Sequence, residues 1–167
     1  IKNNLTLEGS FDYDQAIYLY EKCLENSLEM DNPKQKKLYK ALVKEYSQLI
    51  KNKVKVLDFG PFNKDKVDYP DYAKKVARNI SSKKTNMGIL VCGSGTGMAM
   101  SANKLRKIRA AVCYNSVSTR LSRTHNNANI LALGSRLTNK KEALKLVNIF
   151  LSTKFEGGRH LRRVKKI

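Results

Sequence analysis

The stretch "GILVCGSGTGMAMSANK", residues 88–104, sets an apolar run against Cys92 and three alternating glycines, Gly93, Gly95 and Gly97. Glycines let a backbone approach a ligand closely, and a helix opening just after them would direct its amides at the same point, so an anionic group is the natural guest. The spacing G-x-G-x-G is neither of the standard phosphate-loop patterns, and as a bare pattern it is weak. A cysteine beside a helix amino terminus suits a reactive thiolate, whereas strand-end cysteines more commonly end as inert core thiols. Both readings of Cys92 stand at this level. His125, in "SRTHNNAN", is either an acid-base group or a surface loop histidine, and its position after a helix and before a strand suggests a carboxyl-edge neighbourhood. Arg159 and Arg163, four apart, would share one helix face and could grip a phosphate, or they belong to a solvated basic end. His160 sits in that dense basic context and reads as part of a solvated tail.

Regular elements must hold these groups. "NLTLEG" reads as a short strand meeting a turn at Gly9 and Ser10. In "YDQAIYLYEKCLENSL" the apolar positions Tyr13, Ile17, Tyr20, Leu24 and Leu28 fall at spacings of three and four, an amphipathic helix with Asp12 as its cap. Pro33 opens a second helix to about Lys53, and "VKVLDFG" is a strand. The rest alternates: helix 71–80, strand 88–92, helix from about 97 to 104, strand 109–114, helix 116–124, strand 129–134 and helix 140–151, then a basic tail or helix over 152–167. Such alternation, with strands apolar throughout, predicts an α/β fold whose parallel sheet is covered on both faces. Ligands of such sheets bind where strands turn into helices, which is where the glycine stretch lies.

Composition limits the function classes. The 167 residues suit one domain, with 41% hydrophobic and 28% charged residues and no apolar run long enough to span a bilayer. Cys23, Cys92 and Cys113 form no C-x-x-C pair, and with two histidines they offer no recognisable zinc set; the cytoplasm or mitochondrial matrix is the expected compartment, and no cofactor is expected. The net charge of +19 either attracts a polyanion such as RNA or reflects a lysine-rich codon bias.

Taken jointly, "VDYPDYAKKVA", "GILVCGSGTGMAMSANK", "IRAAVCYN", "LSRTHNNANILALGSRL" and "FEGGRHLRRV" resemble consecutive blocks of the type B ribose-5-phosphate isomerases, a family that includes galactose-6-phosphate isomerase subunits. The resemblance runs from about Val54 to the end. It implies a Rossmann-like three-layer sandwich on a parallel sheet of about five strands. It also implies a homodimer with sites at the subunit interface, and metal-free aldose-ketose isomerisation of a sugar phosphate through an enediolate. By resemblance Cys92 is the base that moves a proton between C1 and C2, and the amides of Gly93, Ser94, Gly95, Thr96 and Gly97 hold the enediolate oxygen. Ser94, where the family usually has threonine, joins His125 in opening the sugar ring. Asn126 hydrogen-bonds the substrate, Tyr69 lines the site, and Arg159 with Arg163 binds the phosphate.

The amino-terminal block departs from the family. Its first strand ends in Gly-Ser-Asp-His, with Asp and His on the substrate, whereas "LTLEGSFDYD" places Phe11 and Asp12 after Gly9 and Ser10. Between the first two strands the sequence also holds an extra helix within residues 11–53. A working sugar-phosphate isomerase is one expectation. The alternative is a catalytically eroded subunit with a structural or RNA- or protein-binding role in a mitochondrial or ribonucleoprotein assembly, motivated by these departures and by the charge.

Overall fold

The computed structural model describes residue 59 and residues 67–83 and 86–167. The strand before Gly9, the two helices of 11–53, most of the strand "VKVLDFG" and the positions Phe11 and Asp12 lie outside the described residues. Five helices and three strands follow: α1 Tyr69–Ser81, β1 Gly88–Cys92, α2 Thr96–Ala102, β2 Ala110–Val112, α3 Ser116–Thr124, β3 Ile130–Gly134, α4 Lys140–Ser152 and α5 Gly158–Val164. The strands are parallel in the order β1-β3-β2, with Gly88 opposite Ile130 and Cys92 opposite Gly134. Three strands of the expected five therefore fall within the described residues.

Side-chain alternation along these strands builds the two outer layers. Ile89, Val91, Leu131 and Leu133 meet Ala143, Leu146, Val147 and Phe150 of α4 on one face. Leu90, Ile130 and Ala132 meet Ala73, Val76, Ala77 and Ile80 of α1 and Met98, Ala99 and Ala102 of α2 on the other. Because both faces are covered, the strands have to be apolar throughout, which is the pattern the sequence carries. The arrangement is the expected Rossmann-like α/β sandwich. α1 packs on β1 closely enough that a β-carbon on Gly88 would lie 2.6 Å from Val76 Cγ1.

Asparagines start two of the helices. Asn115 accepts from the Ser118 amide at 2.9 Å, with Ser118 Oγ returning toward the Asn115 amide, a reciprocal capping box that fixes the start of α3. Asn139 accepts from the Glu142 amide at 3.0 Å at the head of α4. No described helix is long and apolar enough to cross a membrane.

Candidate active site

β1 delivers Cys92 to the carboxyl edge of the sheet, half-buried, and the chain then turns through Gly93, Ser94 and Gly95 into α2. Gly95 has φ +81°, a left-handed conformation that L side chains rarely adopt. This turn aims the Gly95 amide at Cys92 Sγ, 3.1 Å away, while the Thr96 amide donates to Ser94 Oγ at 3.3 Å. A donor directed at sulfur suits negative charge on that atom.

The turn after β3 clamps the loop from the side. The Ser135 amide and hydroxyl both donate to the Cys92 carbonyl, at 2.9 and 3.2 Å, and the Arg136 amide donates to the Gly93 carbonyl at 3.1 Å. Gly134 permits this approach, since a β-carbon there would lie 2.7 Å from the Ser94 carbonyl oxygen. Two further side chains close over the loop. A β-carbon on Gly93 would lie 3.1 Å from Arg136 Nε, and one on Gly97 would lie 2.6 Å from the Tyr69 hydroxyl. Cys92, Ser94, Tyr69 and the loop backbone therefore gather around one cradle, joined by Arg136, which the sequence reading did not single out. The available signal was an arginine two residues beyond an apolar strand end, in "LGSRL".

His125 is elsewhere. It caps the carboxyl end of α3, the helix that carries the chain back from β2 to the start of β3, so it lies at the amino edge of the sheet. This corrects the carboxyl-edge placement: in a parallel sheet, a segment after a helix and before a strand is at the opposite edge from one after a strand. β3 alone, at roughly 3.3 Å per residue, separates the two edges by about 13 Å. Asn126 lies at the same amino edge, on an open cleft of about 550 Å³ lined also by Lys104, Arg106 and Arg109.

The carboxyl-terminal segment joins His125 rather than Cys92. The Glu156 amide donates to the Thr124 carbonyl at 3.1 Å, and α5 follows, with Arg159 and Arg163 one turn apart as expected. His160 is 8% exposed and stacks on His125, ring centroids 4.2 Å apart and planes 7° from parallel, so it is no part of a solvated tail. Glu156 Oε2 lies 3.8 Å from Nε2 of each histidine, and Arg159 Nε donates to His160 Nε2 at 3.5 Å. Desolvation, then the neighbouring His125 and Arg159, hold His160 below the ordinary imidazole range, which keeps it neutral at pH 7.

Arg123 holds this edge together. It is 7% exposed, donates from Nε to Thr153 O at 3.1 Å and from Nη1 to Asn127 Oδ1 at 3.0 Å and Ala128 O at 2.5 Å, and lies over the Phe150 ring. Burial, with a contribution from Arg109, lowers it to about 10, so it stays charged at neutral pH. Its bonds tie the loop bearing His125 and Asn126 to the segment leading to α5. Arg123→Met keeps most of the stem and strands two carbonyls. It is expected to cost roughly 2–4 kcal/mol, read as a lower midpoint in urea unfolding, and an unchanged midpoint would contradict that role.

The Ribose/Galactose Isomerase family model matches residues 32–167 of this chain. A putative sugar phosphate isomerase of Rickettsia bellii is 45% identical over 128 residues, covering 77% of this chain and 88% of the relative. Ribose-5-phosphate isomerase B of Escherichia coli is 41% identical over 121 residues, 72% of this chain and 81% of the relative. Among solved structures, ribose-5-phosphate isomerase B of Mycoplasma genitalium with bound ribulose-5-phosphate superposes with a TM-score of 0.74 at 36% identity, covering 90% of this chain and 92% of that one. With a glycine cradle closing on Cys92 and likeness along most of its length, this chain belongs to the ribose/galactose isomerase family.

Proposed function

We propose that this protein is a sugar-phosphate isomerase that interconverts ribose 5-phosphate and ribulose 5-phosphate, working as a homodimer whose sites are shared between two copies. The observation that carries the reading is the cradle at Cys92, where the Gly95 amide points at the sulfur. Relatives named as ribose-5-phosphate isomerase B, one holding ribulose-5-phosphate, supply the substrate class.

In the open-chain aldose the Cys92 thiolate takes the proton from C2, electrons move into the C1–C2 bond, and an enediolate forms with charge on O1. Loop amides hydrogen-bond that oxygen as the charge develops. Since Gly95 and Thr96 already donate within the loop, Gly93, Ser94 and Gly97 are the amides assigned to it. Cys92 returns the proton to C1, and the O2 proton passes to O1, leaving O2 as the ketose carbonyl and O1 as a hydroxyl. Ring opening beforehand needs a base at the anomeric hydroxyl and an acid at the ring oxygen, which are the roles of His125 and Ser94. Tyr69 lines the cradle, and Arg159 and Arg163 take the phosphate.

These roles span both edges of the sheet, so Cys92 and Ser94 of one copy work with His125, Asn126, Arg159 and Arg163 of the other. Supporting this, α3 leaves Val117 and Leu121 exposed, with Tyr114 just ahead of it. Val117, Leu121 and His125 recur every four residues and share one helix stripe, so an apolar face that suits a second copy leads directly to the histidine.

The test is conversion of ribose 5-phosphate to its ketose by the purified dimer, with galactose 6-phosphate in parallel. Ketose from the five-carbon substrate is expected. Turnover of the six-carbon substrate alone would reassign the specificity, and neither reaction in folded dimer would remove the proposal.

A further inference from the structure

The cluster at the amino edge has a chemistry that isomerisation does not use. Three segments bring it together: His125 at the end of α3, Glu156 in the connection from α4, and His160 in the first turn of α5. One potential ligand atom from each lies within 4.8 Å of the others. We propose that His125, Glu156 and His160 form a binding site for a borderline divalent transition-metal ion, best fitted by Zn²⁺, and that the bound ion silences the isomerase.

Two imidazoles and a carboxylate are a donor set that zinc uses with one position left open. Tetrahedral zinc holds nitrogen and oxygen donors at about 2.0–2.2 Å, hence roughly 3.3–3.6 Å from one another. Both histidine Nε2 atoms now lie 3.8 Å from Glu156 Oε2, so the carboxylate distances need contract by only a few tenths of an ångström. His160 Nε2 accepts from Arg159 and so presents a lone pair, and the 3.5 Å bond that occupies it is long and weak.

The rings must leave their stack, because lone pairs in two nearly parallel planes cannot both point at one ion. The freedom for this lies with His125 and Glu156, whose side chains are 37% and 56% exposed. The same exposure admits an ion and a water ligand. Arg159 and Arg163 oppose a cation here and Glu156 favours it, so the affinity expected is micromolar, well short of that of a structural zinc site. Inhibition follows, resting on the acid-base role proposed for His125: a lone pair held by metal can accept no proton from a sugar hydroxyl.

The experiment titrates Zn²⁺ into EDTA-stripped, dialysed dimer by calorimetry, with Glu156→Gln, His160→Gln and Cys92→Ala variants in parallel and circular dichroism to confirm folding. One equivalent bound at micromolar free zinc is expected. Glu156→Gln and His160→Gln should each weaken it at least tenfold, and Cys92→Ala should leave it intact. Isomerase activity of the unmodified chain should fall on zinc addition and return with EDTA, and Glu156→Gln, compared with itself without zinc, should need at least tenfold more metal. No micromolar binding, or binding indifferent to both amino-edge substitutions, overturns the site. Binding without loss of rate overturns the silencing. A metal-free chain inactive on every sugar phosphate would remove the functional reading instead, and the calorimetry would still decide the metal site.

Discussion

Cys92→Ala is expected to fold normally and to lose isomerase activity by roughly 10²–10⁴-fold, the range that a positioned acid-base group contributes. The thiol is half-buried at the end of β1, packed on the margin of the core, so its loss removes one hydrogen bond from Gly95 and the contacts of a single sulfur atom. Stability should therefore change by about 1 kcal/mol, far less than the catalytic effect. Cys92→Ser separates position from chemistry. A hydroxyl can still accept from the Gly95 amide and keep the loop in place, yet at neutral pH it is almost never ionised, so the serine variant should be nearly as slow as alanine. The measurement is ketose formation from ribose 5-phosphate, together with uptake of solvent deuterium at the carbon that receives the proton. In both variants wash-in and turnover should fall together. If either variant keeps turnover within tenfold of the unmodified chain, Cys92 is not the base.

Much of this site was legible because its signals are local. The run before Cys92 is bounded by glycines, and its strand spans 88–92 as read; α3 likewise spans 116–124. Strands that are apolar throughout and alternate with helices announce a sheet covered twice, and Ile89 and Leu90 do face opposite layers. What escaped depends on pairing between distant segments. Arg136 acquires its role only because Cys92 lies opposite Gly134, which carries the next two residues over the glycine loop. His160 read as solvated because its neighbours are basic, yet the Glu156 amide anchors that segment to Thr124 and the imidazole falls against His125. Arg123 gave no sign of being buried, since its partners are mostly backbone carbonyls from 5 and 30 residues away, which no side-chain pattern encodes. The edge assigned to His125 failed for a topological reason. Order along the chain was right, but the direction of travel across a parallel sheet reverses between the strand-to-helix turn and the helix-to-strand turn. That reversal turns a list of site residues into a statement about how many chains are needed to assemble them.

Complementation between two inactive variants tests that statement directly. On the roles proposed above, Cys92→Ala lacks the base and His125→Ala lacks the ring-opening group, and each variant on its own is expected to show under about 1% of normal activity. If each site drew both residues from one chain, any mixture of the two would stay inactive. If each site pairs Cys92 of one copy with His125 of the other, a mixed dimer has one site with both residues intact and one with neither. Random re-association of equal amounts makes half the dimers mixed, each with one of two sites working, so recovered activity should approach about a quarter of normal. Re-association requires separating the chains first, and α3 supplies the control. Placing glutamate at Leu121, on the exposed stripe that leads to His125, should disfavour burial against a second copy, yield monomer by sedimentation, and leave even chains with Cys92 and His125 intact without activity. Recovery near a quarter that disappears when both partners also carry Leu121→Glu would establish a site divided between subunits. An inactive mixture in which mixed dimers are demonstrably present would instead require one chain to bring its two sheet edges to the same substrate, against the roughly 13 Å of β3 that lies between them.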